Sequence, residues 1–361
     1  MRFILTLFSL LPFFLSGVEP DFYVWQREHG NEVKEAVLNY YRSSTGKLYF
    51  LAGELENDGR IYKASPEKYV DLSRAVPVVR VHIKHMKKTP SALAEELVKF
   101  YRPWEKTKEF QIDLDAPESK ISYYRELMQE LRRRLPGVKL SATVLPCHLK
   151  HTKEFRALAE ACDYYVLQVH GLEGSGFLWH ILDRTTSFQA LERAKALKLP
   201  FKTALPFYCC DAEGEHVEPD MHVVGALAKA SPGVIGFRLG VSGDPKTLDL
   251  KAALKICRGE KYSPSVAFRW EKQKNGAWHL FVQNNGYYPK YMHFECQWTN
   301  IPSSVFMGVF NKASFYNGMK EFRLPLPPSG ESRVYLWLRT KSNSPSDDVT
   351  FKNNSYEVGN E

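Results

Sequence analysis

Eight short apolar runs, each followed by a longer polar or amphipathic segment, set the narrowest limit on how this chain folds. Strands are expected at Phe22 to Gln26, Leu48 to Ala52, Val76 to Ile83, from Phe110 to the aspartates that follow it, Lys139 to Leu145, Tyr164 to His170, Phe201 to Phe207 and Val234 to Leu239. Helical spacing fills most of the intervals, notably Pro90 to Tyr101, Ser119 to Leu135, Phe188 to Leu197 and Met221 to Ala230. Strands separated by helices run parallel, because the crossover returns the chain to its starting end. Eight such units over about 240 residues imply an α/β fold, a (β/α)8 TIM-like barrel over residues 21–258. A doubly wound sheet is the alternative. The second crossover, Glu56 to Ala75, has no helical period and is the weakest unit.

The pattern changes near Ser263. Runs such as Val266 to Trp270, Trp278 to Val282 and Val334 to Leu338 alternate with period two, and Asn275-Gly276, Asn285-Gly286 and Asn317-Gly318 mark turns. A C-terminal β-sandwich is expected over residues 263–349, then a flexible tail over 350–361. At the other end, Arg2 precedes the apolar stretch Phe3 to Leu15 and the small residues Ser16-Gly17, the layout of a secretory signal peptide over residues 1–17. The expected product is secreted or periplasmic, with no membrane span once the signal is removed; a retained anchor is the alternative. Six cysteines permit disulfides in such a compartment without specifying their pairing. The net charge of +8 is spread along the chain, with only short basic runs, so a solvated surface is expected rather than a nucleic-acid site. Neither a metal site nor a cofactor is expected, and the oligomeric state is left open.

In a barrel of this kind, polar side chains at the carboxyl ends of the strands converge on one pocket. The fourth strand is the richest. Gln111, Asp113 and Asp115 alternate with Ile112 and Leu114 and so share a face, and Glu118 follows. Other strand ends offer Trp25 and Gln26, Glu54 and Glu56, Arg80 and His82, His148, Gln168 and His170, Tyr208, and Arg238. Trp179 lies in a glycine-rich loop, and aromatics including Phe177 and Phe207 surround these positions. Sugar rings stack on aromatic faces, and paired carboxylates cleave glycosidic bonds.

Phe22-Tyr-Val-Trp-Gln-Arg27, Gln111-Ile-Asp-Leu-Asp-Ala-Pro117, the helix containing Tyr124 and Leu131-Arg132, and Leu140-Ser-Ala-Thr-Val-Leu145 resemble a bacterial family called domain of unknown function 3142. A more distant likeness is to family 18 glycoside hydrolases, whose fourth strand reads D-x-x-D-x-D-x-E. Asp113 and Asp115 fall on the second and third acids of that pattern, Phe110 on the first, and Pro117 on the catalytic glutamate. These readings together imply a glycoside hydrolase acting on an envelope or extracellular polysaccharide or oligosaccharide. Asp115 would be the acid or nucleophile, tuned by Asp113 and partnered by Glu54, Glu56 or Glu118. The alternative is a barrel that binds glycan without cleaving it, which Pro117 favours.

Overall fold

Eight parallel strands close on themselves around a packed interior. The computed structural model describes residues 19–174, 179–213, 215–242, 244, 246–260, 266–274, 276, 278–284, 291–298, 304–306, 313–316, 319–324, 332–339 and 349–357. The expected signal segment and Phe177 lie outside the described residues. The barrel strands are β1 (Asp21–Val24), β2 (Leu48–Leu55), β3 (Ala75–Val81), β4 (Glu109–Asp113), β5 (Lys139–Val144), β6 (Tyr164–Gln168), β7 (Phe201–Pro206) and β8 (Val234–Phe237). Each pairs in parallel with its sequence neighbour. β1 closes the ring by pairing with both β2 (Phe22 beside Leu48) and β8 (Asp21 beside Ile235). The ends of this unit are tied by Arg258, whose guanidinium lies 3.0 Å from Glu19.

Helices α1 (Asn31–Ser43), α2 (Pro90–Tyr101), α3 (Ile121–Arg134), α4 (Thr152–Glu160), α5 (Arg184–Ala196), α6 (Met221–Ala230) and α7 (Leu250–Cys257) cover the outside. Several begin where a side-chain oxygen meets the free N–H groups of the first turn. Thr89 does so for α2, Asp183 for α5, Asp220 for α6 and Asp249 for α7. The α5 start precedes the expected one by four residues, Phe188 against Arg184. The Asp183 cap carries the helix through the polar Arg184-Thr-Thr-Ser turn, which has no apolar period. No helix separates β2 from β3. A short strand, Ile61–Lys63, pairs antiparallel with β2 there instead. The covering role passes to Trp104, which is buried against Phe50 and donates its indole N–H to Ala64 at 3.0 Å.

Alternation sorts the side chains into two layers. Phe22, Val24, Phe50 and Phe110 face the helices. Tyr23, Tyr49, Val76, Val78, Val166, Ala204 and Ile235 fill the barrel. The amino-terminal end is plugged by a satisfied polar network. Lys202 meets Asp21 at 2.5 Å, Tyr164 donates to Glu109 at 2.5 Å and shares a 2.7 Å bond with Tyr49, and Lys47 pairs with Glu109. An open cavity of about 850 Å³ lies at this end, away from the strand tips that carry the candidate residues.

Beyond the barrel, the strands are antiparallel and form two four-stranded sheets. One runs Val266–Lys272, Trp278–Asn284, Ser332–Arg339, Ser304–Phe306; the other runs Ala313–Tyr316, Met319–Leu324, Tyr291–Trp298, Val349–Glu357. Residues 350–357, expected as tail, are instead paired with Tyr291–Trp298. The sequence at 349–351, Val-Thr-Phe, has high strand propensity, and the pairing carries a register shift between Phe294 and Glu295. Among the described residues, no helix is long and apolar enough to cross a membrane. Cys147, Cys162, Cys210 and Cys257 form no disulfide.

Candidate active site

The site begins with a row across three strands. Glu54 on β2 is in register with Arg80 on β3, and Arg80 is in register with Asp113 on β4. Residues side by side in a parallel ladder point to the same face. Val78 and Gln111, one step down, are also in register and lie inside the barrel, so the row above them faces its mouth.

Glu54 reaches the mouth because β2 is bulged. The register slips between Leu51 and Gly53. Counting by twos from the interior Tyr49 would send Glu54 outward. The extra residue reverses the alternation, and Gly53 faces α2, where an added Cβ would lie 2.2 Å from the Phe100 ring. Glu54 is 5% exposed and fully engaged. Arg27 contacts it at 2.5 Å and also holds Glu56, while Arg80 stands 3.6 Å away. Arg60 adds a 3.0 Å contact to Glu56. Arg27 itself packs over Tyr62, whose hydroxyl donates to the Arg27 carbonyl at 2.6 Å. These two glutamates hold guanidiniums in place.

Asp113 is differently placed. Burial and the neighbouring Asp115 charge push its carboxyl up to about 7, against the opposing pull of Arg80 and a hydrogen bond with Thr143. Such a group carries a proton near neutral pH, which a carboxylic acid must do to donate one. Asp115 is exposed, just past the strand. Leu114 and Ala116 on either side are buried, and the Ala116 N–H bonds back to the Leu114 carbonyl at 2.7 Å in a tight turn. His148 holds this turn. It is wholly buried, its Nε2 donates to the Ala116 carbonyl at 2.7 Å, and its Nδ1 accepts from the Leu145 N–H at 3.2 Å. Burial lowers its pKa, which keeps the ring neutral, as that donor and acceptor pair requires. His148 therefore supports Asp115 from behind and cannot touch a ligand.

Below the row, the Gln111 amide donates to Tyr23 at 3.0 Å and reaches Thr143 at 3.5 Å, and its Oε1 has no partner among the described residues. Across the mouth stands an aromatic wall. Phe237 is its hub, with ring centroids 5.3 Å from Trp25, 5.3 Å from His170, 5.5 Å from Tyr208 and 5.7 Å from Tyr23. Neither Phe237 nor Tyr23 was expected as a site residue. Both read as ordinary strand aromatics, and only ring closure at β1 and β8 brings them to the mouth. His170 is 8% exposed, with Nδ1 at 3.4 Å from the Tyr208 hydroxyl.

The remaining expected residues, Gln26 apart, have structural partners. Gln26 is part-buried and its amide has no partner among the described residues. His82 caps the turn Ile83–Lys87 by accepting from the Lys84 N–H at 3.2 Å. Gln168 donates to the His170 carbonyl at 3.2 Å, and Arg238 pairs with Asp244 at 2.7 Å. Trp179 packs with Ile181 and Ala212 and donates to Glu213 at 3.2 Å. Glu118 pairs with His151 at 2.5 Å on an exposed surface, and that bond lowers its pKa.

No curated protein matches the chain. Among solved structures, an α-L-arabinofuranosidase of family GH51 from Thermotoga petrophila is similar at 10% identity and a TM-score of 0.35, covering 90% of this chain and 97% of that one. The α-L-arabinofuranosidase from Thermotoga maritima gives 9% identity and 0.37, covering 90% and 96%. A protein assigned as a deoxyribose-phosphate aldolase from Toxoplasma gondii gives 11% and 0.40, covering 69% and 95%. Residues 75–260, from the third barrel strand to the end of the last barrel helix, match the family described as domain of unknown function DUF3142, and the chain belongs to that family.

Proposed function

We propose that this protein is an exported glycoside hydrolase that binds a glycan across the barrel mouth and cleaves it with Asp113 and Asp115. One observation carries the reading: a half-buried carboxyl pushed up toward neutral pH stands beside an exposed one, across the mouth from a wall of aromatic rings. Two carboxyl groups in unlike environments divide acid and base roles between them. Asp113 holds the proton and gives it to the glycosidic oxygen as the bond breaks. Asp115, the reachable carboxylate, stabilises the positive charge that develops at the sugar carbon, either by bonding to it or by activating a water. Sequence alone made Asp115 the acid or nucleophile and Asp113 its tuning neighbour; the acid role moves to Asp113 here, because it is the more buried of the pair. Trp25, half-buried at the tip of β1, offers the face on which a sugar ring stacks. Export rests on the amino-terminal segment alone.

Release of reducing ends from a panel of envelope and plant polysaccharides tests the proposal. The wild type is expected to release them, Asp113→Asn and Asp115→Asn to lose about 10²–10⁴-fold in rate while still binding, and Trp25→Ala to lose mainly affinity. A specific observation keeps a second reading alive. Pro117 occupies the position of the family 18 glutamate and leads into the short turn Glu118–Lys120. Retention of an oligosaccharide with no cleavage of any polymer would make the protein a binder.

A further inference from the structure

A second cavity, of about 420 Å³, lies beside the aromatic wall between the segment after β5, the tip of β6 and the side of α5. That volume is within the range of ligand sites. His170 belongs to both spaces, as a member of the wall and as lining of the cavity. Its Nε2 is buried and has no partner among the described residues. Burial depresses its pKa to about 3, so the ring is neutral and carries one N–H. Assigning the Tyr208 hydroxyl, 3.4 Å away, as the donor to Nδ1 places that proton on Nε2, with no acceptor among the described residues.

The charges on the lining are unevenly committed. The Asp183 carboxylate already accepts from the Thr186 N–H and hydroxyl, both at 2.8 Å. Arg193 and Lys150 have no carboxylate within salt-bridge distance among the described residues, and Glu173 is the one acid on the lining not tied up in this way. Among the described residues, no Phe, Tyr or Trp lines the space. Two uncommitted cations and an unmet N–H suit a compact acidic group.

We propose that this cavity receives the acidic substituent of a glycan, a uronic-acid carboxylate or a sulfate ester, with Arg193 and His170 Nε2 as its donors and Lys150 adding positive charge. This rests on the reading of the mouth as a glycan cleft, and it names the substrate class as acidic. A guanidinium fork matches either group.

Calorimetric titration of the full chain with glucuronate, a glucose sulfate ester and glucose tests it. At least one acidic probe should bind and glucose should not, and the tighter acidic probe names the substituent. Arg193→Gln, a change at an exposed helix position, should weaken that binding about tenfold or more, and added salt should weaken it further. Equal binding of glucose, binding unchanged in Arg193→Gln, or no binding of either acidic probe overturns the proposal. The two readings fail separately. Acidic probes that bind as stated while no polymer is cleaved leave this site standing and remove the hydrolase. Cleavage of neutral glycans with no acidic probe bound does the reverse.

Discussion

Asp113 carries a stability cost that the proposed acid role would explain. Its carboxyl titrates near 7 in the folded chain, against an ordinary value of 3.8. Between those values the folded state keeps a proton that the unfolded chain has released. Stability contributed by this group is therefore intact below about pH 4, falls as pH rises toward 7 and stays reduced above it. Asp113→Asn removes the charge. Urea unfolding should show the variant more stable than wild type at pH 8 by on the order of 1–2 kcal/mol, and about equal to it at pH 4. A variant less stable at pH 8 would mean that the charged form is favoured there. At this scale the sequence was informative about position and less so about role. Alternation put Gln111, Asp113 and Asp115 on one face. It could not separate a ligand contact from a support, and His148 proves to be a support because its ring N–H donates to the Ala116 carbonyl, 32 positions away.

At the scale of elements, the β2 bulge decides which acids reach the mouth. Gly53 has no room for a side chain, so Gly53→Ala must push Phe100 or unmake the bulge. A loss of about 1–3 kcal/mol is expected in chemical denaturation, and Phe100→Leu should restore part of it in the double variant. If Gly53→Ala were neutral, the packing of β2 on α2 would be looser than described. The bulge was not legible from the period-two pattern, which an inserted residue interrupts without any marker except a glycine. The missing second helix was legible, since Glu56 to Ala75 has no apolar period. The strand Ile61–Lys63 that replaces it was not, being three residues long.

For the whole molecule, the barrel separates holding from acting. The amino-terminal end carries the Asp21–Lys202 and Lys47–Glu109–Tyr164 network, and the other end carries the candidate site. Glu109 is 3% exposed, so Glu109→Ala leaves Tyr164 and Lys47 without their acceptor. Thermal or urea unfolding should register a loss on the order of 3 kcal/mol, with glycan affinity unchanged at temperatures where the variant is folded. A fragment of residues 19–260 is expected to fold alone with a mixed α/β circular dichroism spectrum, because β1 pairs with β8 and Glu19 with Arg258 inside it. Strand count and order were readable from the eightfold alternation. Assembly of the aromatic wall was not, because it joins residues from β1 and β8, more than two hundred positions apart, that only closure of the ring makes neighbours.

The central claim is that Asp113 delivers a proton at the barrel mouth. The measurement closest to it is the pH dependence of kcat/KM for the best polysaccharide found, wild type against Asp113→Asn. The account predicts a wild-type rate that falls by half near pH 7 as Asp113 loses its proton, and a variant about 10²–10⁴-fold slower whose profile lacks that limb. A variant that keeps the wild-type rate, or that keeps the same fall near pH 7, would contradict it.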